Sequence, residues 1–323
     1  MQDFLSLSFP KIFSVLTRSK LLKDSNSCQE VLRKIVPLLS EKTKKEADAF
    51  SNLVKSELIK WNAKVIDFYH PHYPSLLKEI YDPPANLFCI GNSEVLKGCH
   101  ISVVGTRKPS PITIAASKIL PKDLKACGYD GVVSGLAAGV DAAVMQAALE
   151  SDLAVIGVMG TGPEMEYPPS NKLLYKKLKQ GSKTAILTEY PPGFLVRKYA
   201  FPRRNRIITG ISDRLLVLEA PEKSGALSSA ANAIEQNREV YIFDHPDQIS
   251  NAGGRKLLLD GANQFTFLES DFGTNIFHFN EQLPNEFEGV SRMLAQFSKM
   301  ESDGSWKHLG QGFFRQTAPE PDR

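Results

Sequence analysis

A chain of 323 residues with 42% hydrophobic and 23% charged side chains exceeds one average domain and has the composition of an ordinary globular protein, which excludes the fibrous and disordered classes. Its formal net charge of +3 is too mild to mark a polyanion-binding protein, so only local clustering of charge can carry such a reading. The four cysteines, Cys28, Cys89, Cys99 and Cys127, form no CxxC pair and accompany no histidine run, which excludes the usual zinc spacings and reads as reduced thiols.

The opening segment is mildly apolar but is broken by Pro10 and by several Ser and Lys, with no small-residue cleavage site after it. No apolar run reaches the length of a bilayer span, and the expectation is a soluble cytoplasmic protein. No glycine precedes Gly91, and this shift marks a boundary. "CQEVLRKIVPLLS" and "KKEADAFSNLVKSELIKW" carry apolar residues at helical spacing, which predicts a small N-terminal helical domain over residues 1–65. Residues 66–98, with Pro71, Pro74, Pro83 and Pro84, read as a stiff proline-rich connector.

Residues 99–270 change character. Short apolar runs, "HISVVGT", "GVVSG", "LAVIGVMG", "TAILTEY", "RLLVLEA", "EVYIFD" and "QFTFL", alternate with helical stretches such as "ITIAASKILPKDLKAC", "VDAAVMQAALE", "PRRNRIITG" and "ALSSAANAIEQ". Nearly continuous β-branched runs separated by helices predict a doubly wound α/β fold with a mostly parallel sheet covered on both faces. Residues 271–323 are weakly patterned and polar at the end, so one or two short helices at most are expected there.

In an open parallel sheet the ligand site lies beyond the carboxyl ends of the strands. Five loops there stand out: "VGTRKPS", "SGLAAGVD", "GTGPE", "EYPPG…RKYAFPRRN" and "EAPEKSGALSS". Gly105, Gly135, Gly139 and Gly225 each stand where a strand turns toward a helix, and there backbone N–H groups and the helix dipole favour an anion. Tight turns and close helix–sheet packing would call for the same glycines. Neither a GxGxxG fingerprint after the first strand nor a GxxxxGK[ST] loop is present. Arg107 suits either a phosphate grip or a surface ion pair.

Arg197, Lys198, Arg203, Arg204 and Arg206 surround Phe201 within ten residues. Cations at a helix start oppose its dipole. They call for an external anion, unless Arg204 and Arg206 pair with internal acids such as Asp213 or Glu219. Phe201 reads as a platform for a stacked base or as a core residue that staples the helix start. No His/Cys or His/Asp arrangement recurs at a strand end. Glu189, Glu219, Asp141 and Glu164 are the candidate general bases, although such acids also cap helices or neutralise Arg. No metal or organic cofactor is expected.

Taken in order, "YPSLLKEIYDPPANLFCIGN", "ISVVGTRKPS", "VVSGLAAGVDAAVMQAAL", "MGTGPEMEYPPSN", "FPRRNRIITGISDRLLVLEAPEKSGAL" and "GGRKLLLDGA" resemble the DNA-processing protein A (DprA/Smf) family over residues 73–267. The resemblance implies an extended Rossmann-like domain that binds single-stranded DNA, forms a homodimer and loads the RecA recombinase during natural transformation, without catalytic turnover. Carried over by position, Arg107 and Lys198 would contact phosphate and Phe201 would stack on a base. Gly105, Thr106, Ser134, Gly135, Ser224 and Gly225 would line the pocket, and Arg203, Arg204, Asn205 and Arg206 complete the expected site.

The chain departs from the family's usual residues at Ala138 (Arg), at Met145 (His), at Ile112-Thr113 (Tyr-Gly), at "DHPD" and at Arg255 in "GGRK". These changes imply a divergent member. Relatives often begin with a DNA-gripping helical domain, which a glycine-free start argues against, and often end in a winged helix, which the short tail implies is missing or eroded. Two alternatives remain open. One is a nucleotide hydrolase of the lysine-decarboxylase-like phosphoribohydrolase type, whose PGGxGTxxE loop has no match in "EAPEKSGALSSA". The other is a scaffold that has lost tight DNA binding.

Overall fold

The computed structural model describes residues 4–8, 15–195, 197–243, 245, 250–267, 276–278, 306–310 and 313–316. The predicted runs become seven parallel strands: β3 (His100–Val104), β4 (Gly131–Ser134), β5 (Ala154–Val158), β6 (Thr184–Thr188), β7 (Arg214–Val217), β8 (Glu239–Phe243) and β9 (Asn263–Phe265). Two further strands precede them, β1 (Ala63–Asp67) and β2 (Asn86–Gly91), giving a nine-stranded sheet of order β1-β2-β6-β5-β4-β3-β7-β8-β9. The β1–β2 and β2–β6 pairs are antiparallel and the rest are parallel.

The connecting helices are α5 (Pro111–Ala126), α6 (Val140–Glu150), α7 (Lys172–Gln180), α8 (Ala200–Ile211), α9 (Gly225–Glu235) and α10 (Ala252–Leu259). Alternate strand residues feed two cores. Val103, Val132, Val155 and Leu216 face α5, α6 and α7, while Val104, Val133, Ile156 and Val217 face α8 and α9. Both faces are therefore dry, which is why these strands read as continuous apolar runs. From β3 the chain winds outward through β4, β5 and β6, then returns across the sheet to β7 on the other side of β3. That reversal opens a crevice beyond the carboxyl ends of β3 and β7.

The first residues form helices α1 (Val15–Lys23), α2 (Cys28–Ile35) and α3 (Glu41–Lys60). Ser27 and Ser40 cap α2 and α3 by accepting from the N–H groups of Glu30 and Thr43. Leu22, Val31, Ile35 and Ala47 join the same apolar cluster as the sheet, so the helices share its core.

Within the span read as a connector, the short helix α4 (Ser75–Glu79) and β2 lie inside the fold, and Tyr73, Leu77 and Ile80 are buried against α8. The prolines hid this: β1 offers one fully buried residue, Ile66, and β2 begins two residues after Pro84. The segment is thus not a free spacer.

The helices expected after residue 270 are not what the described residues there form. They make three short strands, β10 (Ile276–His278), β11 (Trp306–Gly310) and β12 (Phe313–Gln316), in a separate antiparallel sheet of order β10-β12-β11. Aromatic residues such as Trp306, Phe313 and Phe314 suit strands better than helices. The rest of that expectation lies outside the described residues. Among the described residues, no helix is long and apolar enough to cross a membrane.

The loops after β3 and β4 interlock. The Val140 N–H donates to Thr106 O at 3.1 Å, and Gly139 holds φ +84, a conformation that side chains disfavour. A Cβ there would lie 2.5 Å from Thr106 O. Gly139→Ala is therefore expected to cost about 2 kcal/mol of stability. Urea denaturation checks this, and an unchanged midpoint would mean that the two loops move apart freely.

Candidate functional site

Loops after six strands, β3 to β8, meet over the β3/β7 crevice and line a cleft of about 850 Å3. Its base is zipped shut, because Thr106 N–H donates to Glu219 O at 2.8 Å and Leu218 N–H donates to Val104 O at 3.1 Å. The Glu219 carboxylate, 2% exposed, accepts from both the N–H and the hydroxyl of Ser110 at 2.9 Å. His245 Nε2 lies 2.8 Å from the same hydroxyl. Glu219 thus pins the start of α5.

The rim is cationic. Arg107 and Lys108 rise from the β3 loop, Lys198 from the segment before α8, and Lys223 from the β7 loop, all exposed and all without an ion-pair partner among the described residues. Between them stand two aromatics. Phe201 is half-buried, and its ring centroid lies 5.3 Å from that of Tyr167, at an interplanar angle of 47°. A Cβ at Gly160 would come within 2.9 Å of the Phe201 ring, so the "GTG" string provides its seat. Ser224 caps α9 by accepting from the Ala226 N–H at 3.2 Å, and beside it Gly225 leaves the helix start open to the cleft.

The remaining predicted residues stand deeper. Gly105, Thr106 and Asn205 line the cleft, whereas Ser134 is fully buried and donates its hydroxyl to Val103 O at 2.7 Å. The Gly135 N–H donates to Asp141 Oδ2 at 3.0 Å, so that amide is occupied within the protein. Its neighbour Ala138 lines a side cavity of about 120 Å3 with Arg107, Tyr167 and Phe201. Met145 is fully buried in the apolar core.

The basic string divides by burial. Arg204, 5% exposed, donates to the carbonyls of Gly135 and Val158, with Asp141 the nearby counter-charge. Burial pushes the Asp141 carboxyl up and the Arg204 guanidinium down from their ordinary values, each eased by the other's charge. Arg206 makes a bidentate pair with Glu189, both contacts at 2.7 Å, and its Nε lies 3.3 Å from Asp82 Oδ2. Burial opposes that charge, but Glu189 and Asp82 outweigh it and hold the guanidinium above its ordinary value. Arg203 reaches Asp82 at 3.3 Å and Glu189 at 3.8 Å, and Arg18 of α1 reaches Asp82 at 2.7 Å.

The internal partners are therefore Glu189, Asp82 and Asp141. The sequence suggested Asp213 and Glu219 by nearness alone, but Asp213 is exposed and Glu219 is held by Ser110. Arg203, Arg204 and Arg206 need no external anion. Lys108, Tyr167 and Lys223 were not singled out from the sequence. Tyr167 lies within the "MEYPPS" string, whose signal was Tyr-Pro-Pro rather than any spacing to Phe201.

A family model described as DNA recombination-mediator protein A matches residues 64–272. The DNA processing protein DprA of Bacillus subtilis (strain 168) is 38% identical over 202 residues, which cover 62% of this chain and 67% of that protein. The span matched is 49% of one curated relative's length and 68% of another's. The X-ray structure of DNA processing protein A from Streptococcus pneumoniae aligns with a TM-score of 0.62 at 28% identity, over 82% of this chain and 91% of that one. The structure of DNA processing protein A from Helicobacter pylori, concerned with its single-stranded DNA binding mode, aligns with a TM-score of 0.58 at 27% identity. It covers 66% of this chain and 94% of that one.

Removing one partner of the Arg206–Glu189 pair leaves a buried charge short of compensation. Glu189→Gln is expected to cost about 3 kcal/mol, and replacing both residues with apolar side chains should recover most of it. Urea unfolding of the single and double variants checks this, and a single-variant loss below about 1 kcal/mol would class the pair with solvent-screened bridges.

Proposed function

The chain belongs to the DNA recombination-mediator protein A family, and from that membership we propose that it binds single-stranded DNA in the cleft beyond β3 and β7. The observation that carries the reading is the pair Phe201 and Tyr167 set among four unpaired cations, Arg107, Lys108, Lys198 and Lys223. Bases have an apolar face and phosphates a charge at fixed spacing, and aromatics interleaved with free cations meet both needs. Gly105, Thr106, Asn205, Ser224 and Gly225 are the cleft-lining part of the same site. Ser134, Gly135, Arg203, Arg204 and Arg206 hold its frame. The name of the Helicobacter pylori neighbour, which refers to single-stranded DNA binding, supports the same ligand.

The proposal extends to DNA processing in natural transformation, with the bound strand passed to RecA by a homodimer of this chain. Family resemblance supports those further steps, and sedimentation with and without oligonucleotide tests the dimer. A binding role is favoured over nucleotide hydrolysis because the candidate general bases at the cleft are engaged, Glu189 by Arg206, Glu219 by Ser110, and Asp141 by the amides of Gly135 and Ala137, while Glu164, whose Oε1 accepts from the Gly193 N–H at 2.8 Å, does not line the cleft.

Four phosphate contacts predict that log affinity for oligo(dT) falls with log salt at a slope of about −2.8, and that Arg107→Gln reduces the slope by about 0.7. Phe201→Ala is expected to cost about 1–3 kcal/mol of binding with the slope unchanged. Fluorescence anisotropy across a salt series measures both. Equal affinity for duplex and single strand, or no slope, would sink the proposal.

A further inference from the structure

A second groove, of about 730 Å3, adjoins the cleft on the α10 side and shares Pro221 and Lys223 with it. It is lined by Glu222, Ala252, Arg255, Lys256 and Leu259 as well. Lys223, Arg255 and Lys256 have no ion-pair partner among the described residues, against the single acid Glu222. Arg255 is the fourth residue of α10, and Lys256 follows it in the last turn. Among the described residues no acid pairs with Arg255.

The walls of this groove are fixed relative to the cleft. The Ala220 N–H donates to Asn251 Oδ1 at 2.9 Å, and the Gly254 N–H donates to Ala220 O at 3.1 Å. Asn251, fully buried, also donates to Phe243 O at 3.2 Å, and at Gly253 a Cβ would lie 2.7 Å from Pro221 O. The β7 loop and the start of α10 are thus locked together, so the backbone positions that carry the three cations are fixed before any ligand arrives.

We propose that Arg255 and Lys256, with Lys223 as the link, form an extension of the binding track that holds the phosphodiester backbone of a single strand after it leaves the cleft. The inference rests on the single-strand reading of the cleft and adds a separate set of contacts to it. Arg255 supplies a planar fork that grips phosphate with two donors, and Lys256 supplies a point charge beside it. The bases leaving the cleft have no aromatic in this groove, so the extension reads charge alone.

Length dependence tests it. Oligo(dT) of about six nucleotides occupies the cleft alone, whereas one of about twenty reaches the groove. The double variant Arg255→Gln/Lys256→Gln, at positions outside the cleft, is expected to bind the short oligonucleotide as the unaltered protein does. On the long one it should bind about tenfold more weakly at low salt, with the slope of log affinity against log salt reduced by about 1.4. Equal losses on both lengths would mean a diffuse field effect and would overturn the track, as would no loss on either. Binding of neither length by the unaltered protein would instead strike the single-strand reading itself, and the track with it. A melting temperature equal to that of the unaltered protein confirms that the double variant is folded.

Discussion

The bidentate pair between Arg206 and Glu189 is the contact on which the rest of the cleft depends. Glu189 stands at the end of β6, Arg206 lies in α8, and Asp82, which shares the same guanidinium, belongs to the proline segment before β2. Arg18 brings α1 to the same carboxylate. Four stretches distant in the chain therefore meet at one set of largely buried charges. A pair of this kind contributes little net stability compared with an apolar replacement, but any arrangement that separates its members is heavily penalised. It fixes where α8 starts, and the start of α8 carries Phe201.

The basic segment consequently does two jobs with one kind of residue. The cations turned into the fold, Arg204 and Arg206, draw loop carbonyls and carboxylates around themselves and set the positions of the β4, β5 and β6 loops. Those turned outward, Arg107, Lys108, Lys198 and Lys223, are left uncompensated at the rim. An uncompensated cation is inexpensive only where water can reach it, which is why the free charges sit at the cleft edge and the paired ones beneath it. The aromatics lie between the two layers, with Phe201 resting on Gly160 because no side chain intervenes.

Much of this order was legible in the sequence. The seven parallel strands and their helices follow from apolar runs alternating with helical stretches, because burial on both faces removes the polar half of each strand's pattern. The antiparallel strands β1 and β2 were hidden, since β1 buries one residue fully and β2 follows two prolines. The cationic cluster could be seen, but its division could not. Sequence nearness pointed to Asp213 and Glu219 as partners of Arg204 and Arg206, whereas the partners come from residues 82, 141 and 189, brought close only by the crossovers of the sheet. Tyr167 escaped for the same reason: its relation to Phe201 exists only across the loops after β5 and β6.

The departures from the family's usual residues become coherent once charge is followed through space. Met145 faces the core and is fully buried, so a titratable ring would there need a partner that none of its apolar neighbours supplies. Ala138 lines the small cavity beside Arg107 and Tyr167, where an Arg would have added a further cation to the β4 side of the cleft. Arg255, by contrast, adds one on the α10 side, in a groove joined to the cleft through Lys223. Positive charge thus stands on both sides of the β3/β7 crevice. Lys223 and Arg255 thereby stand together on the β7 side, whose loop Asn251 holds in register with α10.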